Sequence, residues 1–350
     1  METASSTSGQ AANSKPQLDS VSPALVLPGG EVRLSGRCLT PAGYHRPAVR
    51  FGLADATLVA SSSHFIVARV PEDAGAEVAV LSDGHSSNSC GIAVAVRIAE
   101  SLHPVASPAV DAIGNIYTTF SGPRGQKVPV SIFKIDATRT ARPFVADIMN
   151  ATGLATDRQG LLYVSSRYDG AVYRISSQGA VSTYAEGLGV ATGIAFDGDE
   201  NLYVGDRSGT IFKIARDQQV FVFATLEPSV AAYHLAVGPE GDLFVTGPTT
   251  SSHDAVYRID PSGTVHTFYR GLGRPQGLAF DAAGNLYVAA SLAGKRGVVR
   301  ITPEGSASLA VVGQQLIGLA FTLDGGMVLT TTDAVYSLDC GIAGLALPPA

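Results

Sequence analysis

The chain has 350 residues, 45% of them apolar and 15% charged, with a net charge of −6. That composition can bury a sizeable core and argues against disorder; the absence of any Lys/Arg run excludes a nucleic-acid footprint, and Arg97 interrupts the best apolar run, Ile92 to Ala99, before it reaches membrane-spanning length. Glycine (39) and proline (19) punctuate short apolar segments throughout, which points to a turn-rich, all-β protein.

Residues 1–16 are rich in Ser, Ala and Thr and lack an apolar stretch of the secretory kind. They read as a disordered tail and put the chain in the cytoplasm as written; a start further upstream would make a periplasmic or extracellular location open to it. Residues 17–98 form a first domain of short strand segments separated by turn residues: Ser20-Val-Ser-Pro23, the run from Leu27 to Gly36, Val49-Arg-Phe-Gly52, the run from Phe65 to Pro71 and the run from Glu77 to Gly84. Such spacing predicts a small β-sandwich. The order Ser22-Pro23, Pro28-Gly-Gly30, Val49-Arg-Phe-Gly52 and Val70-Pro71 resembles an IPT/TIG domain, an immunoglobulin-like module, and implies an accessory role in stabilising, spacing or making contacts. Cys38, Cys90 and Cys340 are too few for a disulfide framework; Cys38 and Cys90 have the option of pairing, but three buried thiols is the preferred reading.

Residues 99–345 carry an internal repeat. Thr152-Gly-Leu-Ala-Thr-Asp157, Thr192-Gly-Ile-Ala-Phe-Asp197 and Gln276-Gly-Leu-Ala-Phe-Asp281 are matched by Tyr233-His-Leu-Ala-Val237, Ile317-Gly-Leu-Ala-Phe321 and the diverged Ser107-Pro-Ala-Val-Asp111. Successive spacings, from Ser107 through Gly153, Gly193, His234 and Gly277 to Gly318, are 46, 40, 41, 43 and 41 residues. That period with strand-like content fits propeller blades. Each unit continues with a Gly or Asn turn, then a second strand with an aromatic residue at Tyr117, Tyr163, Tyr203, Phe244 and Tyr287. A third strand carries a base at Lys134, Arg174, Lys213, Arg258 and Arg300, and a fourth strand follows. The expectation is a six-bladed β-propeller, with the aromatics packing between neighbouring sheets and the bases solvated. Val96-Arg-Ile-Ala-Glu-Ser-Leu102 aligns with His266-Thr-Phe-Tyr-Arg-Gly-Leu272, a fourth strand and its exit. The N-terminal segment is therefore expected to complete the last blade, in competition with the tail from Ile342 to Leu347.

The Gly-Leu-Ala-Phe-Asp, Gly-Asn-Leu-Tyr-Val-Ala and Val-Tyr-Arg-Ile elements resemble NHL-repeat propellers and are similar to the SMP-30/gluconolactonase and streptogramin-lyase types over residues 105–340. The resemblance implies the fold and leaves both binders and enzymes open. SMP-30-type lactonases hold a divalent metal with Glu, Asn and Asp at the channel mouth. Here no Glu opens an inner strand, and Asp206, after Tyr203-Val-Gly, is the matching acid and the candidate metal ligand. The turn Gly238-Pro-Glu-Gly241 resembles streptogramin lyases, but Thr246-Gly247 stands where their acidic residue is expected.

In this repeat the second-to-third-strand loops share an upper face with the entries to the inner strands, and the first-to-second-strand turns share the lower face. The lower turns are acidic (Asp111, Asp157, Asp197, Asp199, Glu200, Glu240, Asp242, Asp281 and Asp324 against Arg158), which hairpin-turn chemistry explains better than calcium. Short and alike, they offer little shape. The upper loops vary in length and mix Arg124, Lys127, Arg167, Arg207, Lys295 and Arg296 with Asp169, Asp206, Asp254 and Asp333. The expected ligand site is the upper mouth, built by Thr152, Thr192, His234 and Gln276 with Arg167, Asp206 and Arg207 around it. His234 replaces a repeat glycine and is the candidate catalytic base; His103 and His253 fall at other repeat positions, so a three-histidine metal site is not expected. The preferred reading is a monomeric, non-catalytic scaffold for a small polar or anionic ligand, or for a protein or peptide, with no nucleic acid, membrane or cofactor. The alternative is a metal-dependent lactonase or a lyase, which would bring a divalent metal.

Overall fold

The structure, a computed structural model, describes residues 15–41, 45–251 and 254–345. Most of the expected tail, His253 and the chain beyond Leu345 thus lie outside the described residues. Two compact units divide at Val94 and Ala95. Among the described residues no helix is long and apolar enough to cross a membrane.

In the first unit Gln17–Ser22, Glu31–Arg37, Phe65–Arg69 and Thr57–Ser61 pair in that order as one antiparallel sheet. Cys90–Gly91, Glu77–Ser82, Ala48–Phe51 and Ala54–Asp55 form a second. Alternation along each strand decides which side faces inward: Val32, Leu34, Val49, Phe51, Ile66, Ala68, Val78 and Val80 are buried, while Arg33, Arg50 and Glu77 are exposed. The three cysteines are half-buried rather than buried thiols.

The second unit consists of four-stranded antiparallel sheets. Sheet 1 is Ala109–Val110, Ile116–Thr119, Ile132–Ile135 and Ala141–Val145; sheet 2 is Ala151–Thr156, Leu162–Ser166, Ala171–Ile175 and Val181–Ala185. Sheet 3 is Ala191–Phe196, Leu202–Asp206, Thr210–Ile214 and Val220–Thr225; sheet 4 is His234–Val237, Leu243–Thr246, Ala255–Ile259 and Val265–Arg270. Sheet 5 contains Leu278–Phe280, Leu286–Leu292, Lys295–Ile301 and Ala307–Val312, and sheet 6 contains Leu316–Phe321, Gly326–Thr331 and Val335–Asp339. The core lies between neighbouring sheets. Tyr163 meets Phe196 edge-on with ring centroids 4.8 Å apart, Phe244 meets Phe280 at 4.8 Å, and Tyr287 meets Phe321 at 5.1 Å. Val328 and Val335 of sheet 6 cluster with Ile116 and Ile135 of sheet 1, so the series closes on itself.

The third-strand bases are not simply solvated. Four of them are half-buried and only Arg174 is exposed. Lys134 and Lys213 lie over the rings of Tyr117 and Tyr203 at 5.6 and 5.5 Å, Arg258 reaches Asp242 at 3.6 Å, and Arg300 donates to Asn285 Oδ1 at 3.0 Å. The two lysines thus cover their own sheets' tyrosines, and the two arginines reach polar side chains of their own lower turns.

Sheet 6 takes its fourth strand from the other end of the sequence. Val96–Ala99 pairs antiparallel with Val335–Asp339, with Val96 opposite Ser337 and Ala99 opposite Val335, and Leu102 N donates to Asp333 O at 3.1 Å. The competing tail goes elsewhere: Gly344 bridges Asp281, and Leu345 N donates to Phe280 O at 2.9 Å. Removing residues 1–102 should therefore expose the edge of Val335–Asp339 and leave a fragment that aggregates on size exclusion, whereas removing 341–350 should be milder. A soluble 103–350 fragment with a cooperative melt would contradict this closure.

Candidate functional site

The lower turns are built as a repeated structural unit. Asp111 accepts Ile113 N and Asn115 N on Oδ1, and Asn115 Nδ2 and the Tyr117 hydroxyl on Oδ2, all within 3.1 Å. Asp197 does the same with Asp199 N, Asn201 and Tyr203, and Asp281 with Ala283 N and Asn285. These carboxylates are thus saturated by turn donors, as hairpin-turn chemistry predicts. Burial, reinforced by the adjacent carboxylate, pushes the Tyr117, Tyr163 and Tyr203 phenols well above their usual range.

The lower end is nevertheless not shapeless. A cavity of about 850 Å³ opens there, walled by Leu154, Leu235, Leu278 and Leu319, with Pro239 and Glu240 at its rim. Its signal in the sequence is the leucine that follows the glycine position in four repeats.

The repeat glycine exists for close approach of neighbouring inner strands. A Cβ at Gly153 would run into Thr192 O, one at Gly193 into Tyr233 O, and one at Gly318 into the Ser107 backbone. Hydroxyls reinforce the same seams: Ser165 donates to Thr192 O, Thr246 to Gln276 O, and Thr330 to Ala106 O at 3.0 Å. Thr246 is therefore a stitch between sheets 4 and 5. This belt has no signature in the sequence, because serine and threonine at those places look like ordinary strand residues.

At the upper face the expected site residues separate into two groups. Thr152 and Thr192 are buried, and their hydroxyls donate to Asn150 O at 2.9 Å and Gly205 O at 2.8 Å. Asp206, also buried, accepts Val190 N at 2.7 Å and Ser208 N at 3.3 Å on one oxygen and the Ser208 hydroxyl on the other. These three hold the loops that frame the mouth. Arg207 is half-buried and donates to Val230 O at 2.8 Å. Arg167 donates to Gly122 O at 3.1 Å, and its Nε is buried without a partner. Burial and the neighbouring charges of Arg207 and Arg124 lower its proton affinity, so three guanidiniums from successive loops share this side of the mouth. Gln276 is half-buried, donates from Nε2 to Leu316 O at 3.3 Å, and faces a separate cavity between sheets 5 and 6.

His234 is 5% exposed and has no hydrogen-bond partner among the described residues. Burial alone pushes its pKa down to about 4, so the imidazole is neutral at pH 7. His103 is exposed and packs edge-on against Phe120 with centroids 5.5 Å apart, away from the role of a ligand. Among the described residues no three His, Cys, Asp or Glu side chains are arranged to hold a metal ion.

Solved structures share this architecture. A gluconolactonase from Xanthomonas campestris superposes with a TM-score of 0.60 at 15% identity, covering 71% of this chain and 90% of its own. The second unit is a β-propeller. Virginiamycin B lyase from Staphylococcus aureus matches at 0.52 and 12% identity over 81% of this chain and 94% of its own. An auxiliary nutrient binding protein from Bacteroides ovatus matches at 0.56 and 11% identity over 95% of this chain and 99% of its own. No family model matches the chain, and no curated protein matches its sequence.

The buried imidazole makes stability depend on pH. Its folded-state pKa lies below the unfolded value near 6.5, so the contribution is fully present above pH 6.5 and is lost as pH falls through the folded pKa near 4. The shift corresponds to about 3 kcal/mol. Denaturant melts between pH 7 and pH 4 should show this loss in the wild type and a shallower slope in His234→Gln. Parallel slopes would mean that the imidazole protonates freely in the folded protein.

Proposed function

We propose that the protein is a ligand-binding, six-bladed β-propeller scaffold, monomeric and non-catalytic, preceded by an immunoglobulin-like accessory module of the IPT/TIG kind. The propeller is read as NHL/SMP-30-like, and its working surface as the upper mouth around His234, Arg167 and Arg207, framed by Thr152, Thr192 and Asp206, with Gln276 to one side at the cavity between sheets 5 and 6. The observation that carries this reading is the state of the two groups an enzyme would need. Asp206 accepts three hydrogen bonds from the 190 and 208 loops, which gives it a loop-holding role. His234, with a pKa near 4, is too weak a base for efficient proton abstraction near neutrality. The concentration of positive charge where Arg124, Arg167 and Arg207 come together supports a polar or anionic ligand. The likeness to a nutrient binding protein, which runs through both units, supports binding as well.

The second reading, a metal-dependent lactonase or a lyase, is supported by the likeness of the propeller to the gluconolactonase and the virginiamycin B lyase. Thermal melts in EDTA and then in excess Mg²⁺, Ca²⁺, Mn²⁺ or Zn²⁺ separate the two. A resident metal at 100 times its Kd would add about 2.7 kcal/mol. The scaffold reading expects coincident melts and no lactone hydrolysis with any ion; an ion-specific rise in Tm accompanied by turnover would replace it with the enzyme.

A further inference from the structure

The hairpin of sheet 5 differs from the others. Leu286–Leu292 and Lys295–Ile301 pair along their whole length, to Leu292 opposite Lys295, across the turn Ala293-Gly294 with φ of +48° and +80°. Two positive-φ residues are what a tight, twist-matched hairpin turn requires. The extra length lets Leu272–Gly273 pair on its inner side, with Gly273 opposite Ser291. This hairpin forms one wall of a cavity of about 460 Å³ on the upper face, and the entry to sheet 6, Gly313 to Ile317, forms the other.

The chemistry of that cavity has one sign. Arg274 and Arg296 line it, both exposed, and neither guanidinium has a hydrogen-bond or ion-pair partner among the described residues. No Asp or Glu belongs to the lining; Asp333, next in sequence to the lining residue Thr332, is not part of it. Gln315 is pre-set by the Thr332 hydroxyl, which donates to its Oε1 at 3.2 Å and leaves the Nε2 hydrogens available. The backbone also carries local strain: Arg274 has φ +48° and Gln315 φ +57°, in the left-handed region that such residues seldom adopt. Both stand three residues before a repeat glycine, where Asn150 has φ +50°, so this is the entry turn of an inner strand; at sheets 5 and 6 that turn sets a hydrogen-bond donor on each side of one cavity.

We propose that this cavity is an oxyanion site, in which Arg274 and Arg296 clamp a phosphate or carboxylate group of a small polar molecule while Gln315 and Ser291 contact its remaining polar atoms. Guanidinium forks bind both groups in two-point fashion, and the volume falls within the range of ordinary small-molecule sites. The site is distinct from the guanidiniums of Arg124, Arg167 and Arg207, which come from sheets 1 to 3, and so does not depend on the mouth reading.

Calorimetric titration of the full chain with inorganic phosphate, and separately with citrate, tests this at low salt. At least one of the two is expected to bind saturably. Arg274→Gln and Arg296→Gln should each weaken that binding by about 10-fold or more, and the double variant should abolish it; Arg216→Gln, an exposed base paired with Glu200 outside both sites, should leave it unchanged. Saturation by phosphate alone would assign a phosphate-bearing ligand, and by citrate alone a carboxylate. Because both arginines are exposed, unaltered melting of the variants is expected and checks that they fold. Absence of saturable binding by either anion would overturn the proposal, as would binding that survives in the double variant or is lost in Arg216→Gln.

Discussion

The propeller depends on one pairing: four residues from near the start of the second unit, Val96–Ala99, hydrogen-bonded to Val335–Asp339 at its far end. A ring of sheets has no natural stopping point, and a last sheet of three strands would present a row of unpaired backbone groups. Supplying the fourth strand from the opposite terminus makes the first and last repeats neighbours. Their shared cluster, Leu102, Ile116, Ile135, Val328 and Val335, then buries the seam. Each remaining seam repeats the same solution with different side chains, so a rigid frame results and the upper loops vary on it without cost to the core.

A second constraint acts at the axis. Glycine at the repeat position lets inner strands approach to backbone contact, and the hydroxyls of Ser165, Thr246 and Thr330 tie the seams. His234 departs from that rule by burying a whole imidazole, which must stay neutral to remain there. Polarity is divided between the two faces by the same economy. Below, carboxylates are consumed by the turns that they shape. Above, guanidiniums are left with donors to spare, at the mouth through Arg167 and beside sheet 5 through Arg274 and Arg296.

Much of the frame was legible in the sequence because period and turn chemistry are local. The Gly-Leu-Ala-Phe-Asp spacing located the inner strands, the recurring aromatics their packing faces, the Asp-to-Asn turns their hydrogen bonds, and the alignment of Val96 to Leu102 with a fourth strand anticipated the closure. What failed to show depends on where a side chain turns. Thr152 and Thr192 stand at the openings of inner strands, yet a hydroxyl carried on Cβ is short enough to donate to a nearby carbonyl, as both do. Asp206 matches a metal-ligand position by its place in the repeat, and what the repeat could not show is that Val190 N and Ser208 lie within its reach, so that it anchors their loops. Arg274 and Gln315 stand three residues before a repeat glycine, at a position whose residue type varies from repeat to repeat, and one wall of their cavity is a hairpin two or three residues longer than its counterparts in sheets 1 and 2. The Thr57–Ser61 strand was missed in the first unit because its residues are mostly exposed, so alternation gives no clear pattern.

The claim on which the rest stands is that the ring is closed by Val96–Ala99 and opens as one unit. Native-state hydrogen exchange measures this most directly. The account predicts that the amides pairing Val96–Ala99 with Val335–Asp339 exchange only through the same global opening as Val164 and Val204 in the middle of sheets 2 and 3, with equal free energies and equal denaturant dependence. Exchange of the closing pair through a separate opening of low free energy, with Val164 and Val204 still protected, would contradict it.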